Sequence, residues 1–257
     1  MRCEILTLFP DLVQPVVGQS MLKRAQEKSL LSVTVRNLRD FTQDRHHVAD
    51  DAPYGGGAGM VMKAEPFFQA VEALQQEYGP GSSLRLVMPS PQGRPFSQRL
   101  AEDLAQEGRP LVFLCGHYEG IDERVRVRLQ PDEISIGDYV LTGGELAALV
   151  MIDAAIRLIP GVLGDPESAQ ADSFMDSLLD YPHYTRPADV RGWNVPEVLV
   201  SGHHEAVRRW RRKEALRNTY LKRPDLLRDR EWSAEDRGLL NEISSEPGVA
   251  AQCGEEG

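Results

Sequence analysis

Cysteine is scarce. The 257 residues hold three, Cys3, Cys115 and Cys253, with no C-x-x-C pair among them. That excludes a disulfide framework, offers no zinc or redox motif, and suits a reducing cytosol. Long apolar runs are missing too: the longest, residues 146–152, falls well short of the roughly 18 residues that a bilayer span requires. The opening residues 1–9 carry Glu4 and run into Pro10-Asp11, which is not the form of a signal peptide. The expectation is a cytoplasmic protein with no membrane partner. Neither a G-x-x-x-x-G-K-[ST] loop nor a G-x-G-x-x-G turn occurs, which argues against nucleotide hydrolysis and nicotinamide chemistry. A basic excess is also absent. With 29 Lys and Arg against 39 Asp and Glu, the net charge is -10, which argues against a chain that coats nucleic acid through its global charge.

What is present is an ordinary globular composition, 41% hydrophobic and 26% charged, with enough apolar material for a core. At roughly 150 residues per domain, the length corresponds to about 1.7 domains. Over residues 1–160, short β-rich runs (3–9, 31–36, 84–88, 111–115 and 133–136) alternate with helix-period segments (12–27, 65–78, 97–107 and 144–159). This alternation predicts an α/β domain with a mostly parallel sheet. Two long connections, 38–60 and 116–132, read as functional loops. After Ile159 the pattern breaks at Pro160-Gly161, and 164–176 is small, polar and acidic, so it reads as a linker. Helices are predicted over 205–220 and over 233–243, with Ser233 as cap, and the tail from Pro247 is read as frayed.

Charge is segregated. Residues 208–223 hold eight basic residues and one acid, a local net of +7 that leaves -17 for the remainder. Such a helix, with Trp210 inside it, suits a phosphate backbone; a solvated face paired with the acidic remainder is the other reading. Glycine clusters at Pro53 to Met60, at Gly116-His117-Tyr118-Glu119-Gly120 and at 135–145. The last two follow predicted strands, where open α/β sheets bind ligands; taken singly, each also reads as a tight turn. Asp172 lies in the linker and Arg157 at the end of the preceding helix. A linker aspartate is ordinarily a solvated residue or cap, but one beside a cleft could act as a general base. The histidine pairs His46-His47 and His203-His204 show no metal-ligand spacing.

Taken together, Asp40-Phe41-Thr42-Gln43-Asp44-Arg45-His46, Asp50 through Met60, Ser90-Pro91-Gln92-Gly93, Cys115 to Arg124, Ser135 to Leu146, Ile159 to Gly164 and His183-Tyr184-Thr185-Arg186-Pro187 resemble the bacterial tRNA (guanine-N1)-methyltransferases, the TrmD family. The resemblance runs in order from about Phe9 to about Pro224. It departs at Ala52, Ala58, Pro89, His117 and Ala147, where the family usually has a basic residue, proline, leucine, arginine and proline. The fold it implies is α/β, a parallel sheet with a C-terminal trefoil knot of the SPOUT type, plus a small helical C-terminal domain. The domains would be 1–163 for the knotted S-adenosylmethionine-binding domain, 164–176 for the linker, 177–246 for a helical tRNA-binding domain and 247–257 for the tail. A homodimer is implied, with the tRNA anticodon arm as partner.

The resemblance also assigns roles. S-adenosylmethionine would lie against Ser90, Pro91, Gln92 and Gly93, against Gly116, Tyr118 and Gly120, and against Ile136, Gly137, Asp138, Tyr139, Val140, Leu141, Gly143 and Gly144. The methyl acceptor would be N1 of guanine 37, with Asp172 as base, Arg157 stabilising charge on O6, and Glu119 holding the guanine edge or a cation, since the resemblance also implies Mg2+. Arg186, Arg208, Arg209, Arg212 and Lys213 would contact tRNA. A noncatalytic tRNA-binding protein on this fold, or a SPOUT methyltransferase acting at another RNA position, are the alternatives.

Overall fold

A computed structural model describes residues 1–79, 81–164, 172–228 and 230–246. The chain forms two compact units, Met1–Pro166 and Glu167–Gly257, each taken here by itself. Most of the expected linker, and the tail from Pro247, lie outside the described residues.

The first unit is built on five parallel strands, β1 (Arg2–Thr7), β2 (Ser32–Asn37), β5 (Arg85–Pro95), β6 (Leu111–Leu114) and β7 (Asp132–Ser135), in the order β2-β1-β6-β5-β7. The central strands are buried on both faces, which is why β6 reads as the unbroken apolar run Leu111-Val112-Phe113-Leu114. Alternate side chains feed two cores. Ile5 and Phe113 point into one, together with Val13, Leu104 and Ile152. Leu6, Val112 and Leu114 point into the other, with Phe67, Leu74 and Val125. Helices α1 (Pro10–Val17), α2 (Ser20–Glu27), α4 (Gln98–Ala105) and α6 (Glu145–Ile156) supply the first core, and α3 (Ala64–Tyr78) and α5 (Glu123–Leu129) the second.

Three features differ from the sequence expectation. The helix expected over 12–27 is two helices, because Gly18 ends α1 and Gln19 is extended (φ -126°, ψ 162°) before α2. Within the expected loop 116–132 lies α5: Asp122 caps it by accepting from the Arg124 amide at 2.9 Å, and Arg126 and Arg128 sit in its last turn. The loop 38–60 carries a 3-10 turn (Leu38–Phe41) and the short strand β3 (Asp50–Asp51), which pairs antiparallel with β4 (Val61–Met62).

One polar cluster is buried at the edge of the sheet. Glu4, in the middle of β1 and 2% exposed, accepts from Arg36 Nε at 2.7 Å and from Tyr78 Oη at 2.8 Å. Burial and the Glu4 carboxylate push the Tyr78 phenol up to about 12. The network ties β1, β2 and α3 together.

In the second unit, α8 (His204–Lys222) packs on α9 (Ala234–Ser244) over Leu178, Leu216, Leu239 and Ile243. Ser233 caps α9 by accepting from the Asp236 amide at 3.0 Å. The unit is not purely helical: a hairpin, β8 (Asp189–Val190) with β9 (Trp193–Asn194), precedes the short helix α7 (Glu197–Val200).

Candidate active site

Strand β5 carries the first part of the site. Its pairing with β7 runs Met88↔Glu133 and Pro89↔Ile134, then resumes at Arg94↔Ile134, so residues 90–93 leave the ladder as a loop. The excursion is clamped across its base. Asp132 on β7 receives Arg85 Nη2 at 2.9 Å and Arg94 Nη2 at 2.7 Å, one guanidinium from each side of the loop. Burial alone would raise the Asp132 carboxyl, but the Arg94 and Arg85 hydrogen bonds outweigh it and hold it below its ordinary value.

The loops after β6 and β7 supply the rest and hold each other. Gly144 N donates to Gly116 O at 2.8 Å, and His117 pairs antiparallel with Gly143. Beneath them Glu145, at the first position of α6, is 1% exposed; its Oε1 accepts from Thr7 Oγ1 at 2.6 Å, and its Oε2 lies 3.8 Å from His117 Nδ1. The helix N-terminus favours a carboxylate there. Burial, with the Glu145 charge adding to it, pushes the Cys115 thiol well up, so Cys115 stays a neutral core residue.

These three loops enclose a cavity of about 270 Å3, near the lower end of the range for small-molecule sites. Thirteen of the fifteen expected cofactor residues line it: Ser90, Pro91 and Gln92; Gly116, Tyr118 and Gly120; and Ile136, Gly137, Tyr139, Val140, Leu141, Gly143 and Gly144. Two do not. Asp138 is exposed to solvent, and Gly93 faces β7, where a Cβ would stand 2.4 Å from the carbonyl carbon of Glu133 and from the Ile134 amide. Gly93 thus lets the chain rejoin the sheet. Pro89, His117 and Ala147, three of the departures from the family pattern, line it as well, and Met88, Ile121, Arg126 and Ile134 line it without having been assigned to the cofactor. Ile121 and Arg126 belong to the connection 116–132, read as a functional loop without its helix; the cap at Asp122 is the signal that places Arg126 on α5.

Glu119 also lines the cavity and is exposed, and its carboxylate makes no hydrogen bond or ion pair among the described residues. Its rotamer is set from the glycine-rich loop: a Cβ on Gly59 would lie 2.3 Å from Glu119 Oε1. The Glu119 amide donates to Met60 O at 3.0 Å. Arg157 caps α6 in the first unit and is half-buried. Asp172 is half-buried in the second unit, its carbonyl accepting from the Met175 amide at 3.3 Å.

The expected RNA contacts fall into two kinds. Arg208 and Arg209, both half-exposed, pair with Glu205 and Glu235 and with Glu242. Arg212 is locked between Asp236 (Nε to Oδ1, 2.7 Å) and Asp176, and Lys213 between Glu242 and Glu246. Arg186 is exposed. The +7 stretch is therefore largely neutralised within its own unit. No group of three or more His, Cys, Asp or Glu side chains able to hold a metal ion occurs among the described residues. No helix among them is long and apolar enough to cross a membrane.

The family model for tRNA (Guanine-1)-methyltransferase TrmD matches residues 1–229. The chain belongs to the TrmD family. It is similar to the tRNA (guanine-N(1)-)-methyltransferase of Desulforamulus reducens, with 54% identity over 95% of this chain and 96% of that protein. The enzymes of the same name from Carboxydothermus hydrogenoformans (55%, over 93% of this chain and 92% of that one) and Brevibacillus brevis (55%, over 96% and 99%) are comparably similar. The TrmD match takes in the cavity, Asp172 and all of α8.

Proposed function

We propose that this TrmD-family protein transfers a methyl group from S-adenosylmethionine to N1 of guanine 37 of tRNA, beside the anticodon. The observation that carries the reading is the meeting of three glycine-bearing loops around one cavity, the excursion within β5 and the loops that follow β6 and β7, with the Glu119 carboxylate, which has no hydrogen bond or ion pair among the described residues, lining it. The cavity residues fit the donor. Met88, Ile134, Ile136 and Leu141 offer apolar surface for a purine and a methionine chain, and the glycine backbones admit close approach. When bound, S-adenosylmethionine supplies a methyl group already activated on a sulfonium.

The protein's own work is to orient the acceptor, take one proton and balance the charge left behind. Glu119 accepts hydrogen bonds from the guanine edge. Asp172 takes the N1 proton, and the Arg157 guanidinium stabilises negative charge as it spreads to O6. Two further elements belong to the same reading. The first unit carries the C-terminal trefoil knot of the SPOUT type, in keeping with loops after β6 and β7 that hold each other through the Gly144–Gly116 hydrogen bond and the His117–Gly143 pairing, and two such chains form a homodimer. On the second unit, Arg186, Arg208 and Arg209 contact RNA phosphates. Exposed ion pairs of the Arg208 and Arg209 kind contribute little to stability, so both side chains can exchange carboxylate for phosphate.

The test is Asp172→Asn. Methyl transfer to a tRNA transcript is expected to fall by roughly 100- to 10,000-fold, the usual share of a general base. The dissociation constants for S-adenosylmethionine and for tRNA should stay within a few fold. Turnover at the wild-type rate would remove Asp172 as the base.

A further inference from the structure

The second unit contains a cavity of its own, of about 340 Å3, whose walls include Tyr181, His183, Tyr184, Arg186, Trp210 and Arg211. Its aromatic content is high for a surface hollow, and the rings are ordered against one another. Tyr181 and His183 stack at 4.6 Å with planes 37° apart, and Tyr184 and Trp210 stand 6.3 Å apart at 56°. His183 is fixed by Asp180, whose Oδ2 lies 2.8 Å from its Nε2. Tyr184 is 50% exposed, so part of its surface remains open to a ligand.

The cations here differ from the rest of α8. Arg208, Arg209, Arg212, Lys213 and Arg217 all point to carboxylates. Arg211 pairs with no carboxylate among the described residues; its guanidinium lies over the Tyr181 ring, 5.0 Å from the centroid. Arg186, which also lines the cavity, is likewise without an ion pair among the described residues. Aromatic surface beside two guanidinium groups that have no carboxylate partner among the described residues makes up the chemistry that holds an unpaired nucleotide, the rings taking the base and the cations the adjoining phosphate. An acidic peptide would engage the cations but leave the rings unused.

We propose that this cavity is a second nucleobase site, which stacks one unpaired base of the RNA substrate other than the methyl acceptor. The proposal rests on the tRNA reading above and adds to it a docking point within the second unit. Such a site acts on binding rather than on chemistry, since it contributes equally before and during methyl transfer.

The experiment uses the full chain with three substitutions, Tyr184→Ala, Tyr184→Phe and Arg211→Gln. KM and kcat are measured with an unmodified tRNA transcript, the dissociation constant for S-adenosylmethionine by calorimetry, and binding of a hexaadenylate by fluorescence anisotropy. Loss of one stacked base corresponds to roughly tenfold. Tyr184→Ala and Arg211→Gln should therefore raise KM and weaken hexaadenylate binding about tenfold, with kcat and cofactor affinity unchanged and Tyr184→Phe close to wild type. Hexaadenylate binding and KM within twofold of wild type in both variants would overturn the site and leave the cavity to an occupant other than RNA. Equal loss of cofactor affinity would make the cluster structural and overturn it too. If the wild-type protein methylates no tRNA, the proposed function fails, and the hexaadenylate arm still decides the base site.

Discussion

Glu119 and Gly59 show how a residue without a side chain can fix the side chain of another. The Glu119 carboxylate has its place because the residue opposite has no side chain: a Cβ on Gly59, whose φ is +83°, would meet three atoms of Glu119 within 2.8 Å. Gly59→Ala is expected to lower kcat by at least tenfold, through a displaced Glu119 and a strained backbone, while calorimetry shows cofactor affinity within a few fold of wild type. Wild-type kcat would show that the Glu119 rotamer is immaterial. Glu4 is the structural counterpart. Its buried carboxylate carries Arg36 and Tyr78, so Glu4→Ala should cost about 3 kcal/mol in denaturant unfolding, as breaking a buried pair does; a cost under about 1 kcal/mol would contradict that account. In the sequence Glu4 was visible only as an acid inside an apolar strand, because its partners are 32 and 74 residues away.

The strands and most helices of the first unit were legible at the level of elements, because a buried parallel sheet writes itself as short apolar runs separated by helical periods. Two elements were not. The sequence of α5, Glu-Arg-Val-Arg-Val-Arg-Leu, alternates like a strand, and only the cap at Asp122 and the acid-to-base polarity mark it as a helix. The excursion at 90–93 was legible as a motif but not as geometry, since it depends on the register shift and on Asp132, about forty residues away. Helix α8 read as a cationic face, yet most of its charge is answered by α9 and Asp176, which no local pattern discloses. Its arginines should consequently separate by experiment. Arg212→Ala, which strands the mostly buried Asp236, should destabilise the second unit by about 3 kcal/mol. Arg208→Ala and Arg209→Ala should leave the unfolding midpoint close to that of the wild type and each lower the salt dependence of tRNA binding by about one ion. A destabilised Arg208→Ala, or a salt slope unchanged in both, would contradict the division.

For the whole molecule, the net charge of -10 is a poor guide to an RNA partner, and so is the +7 of one segment once its ion pairs are seen. What points to RNA is narrower: the exchangeable pairs of Arg208 and Arg209, and the two guanidinium groups around the aromatic cavity. The first unit provides a small-molecule cavity at the end of a parallel sheet, and the second a surface with base-stacking chemistry. The central claim is that the two units serve one reaction, methylation of guanine 37 at N1. Its most direct measurement is transfer of a labelled methyl group from S-adenosylmethionine to tRNA transcripts carrying guanine or adenine at position 37, followed by digestion to nucleosides. The account predicts label in 1-methylguanosine from the first transcript and none from the second. Label in any other nucleoside, equal labelling of both transcripts, or no transfer at all would contradict it.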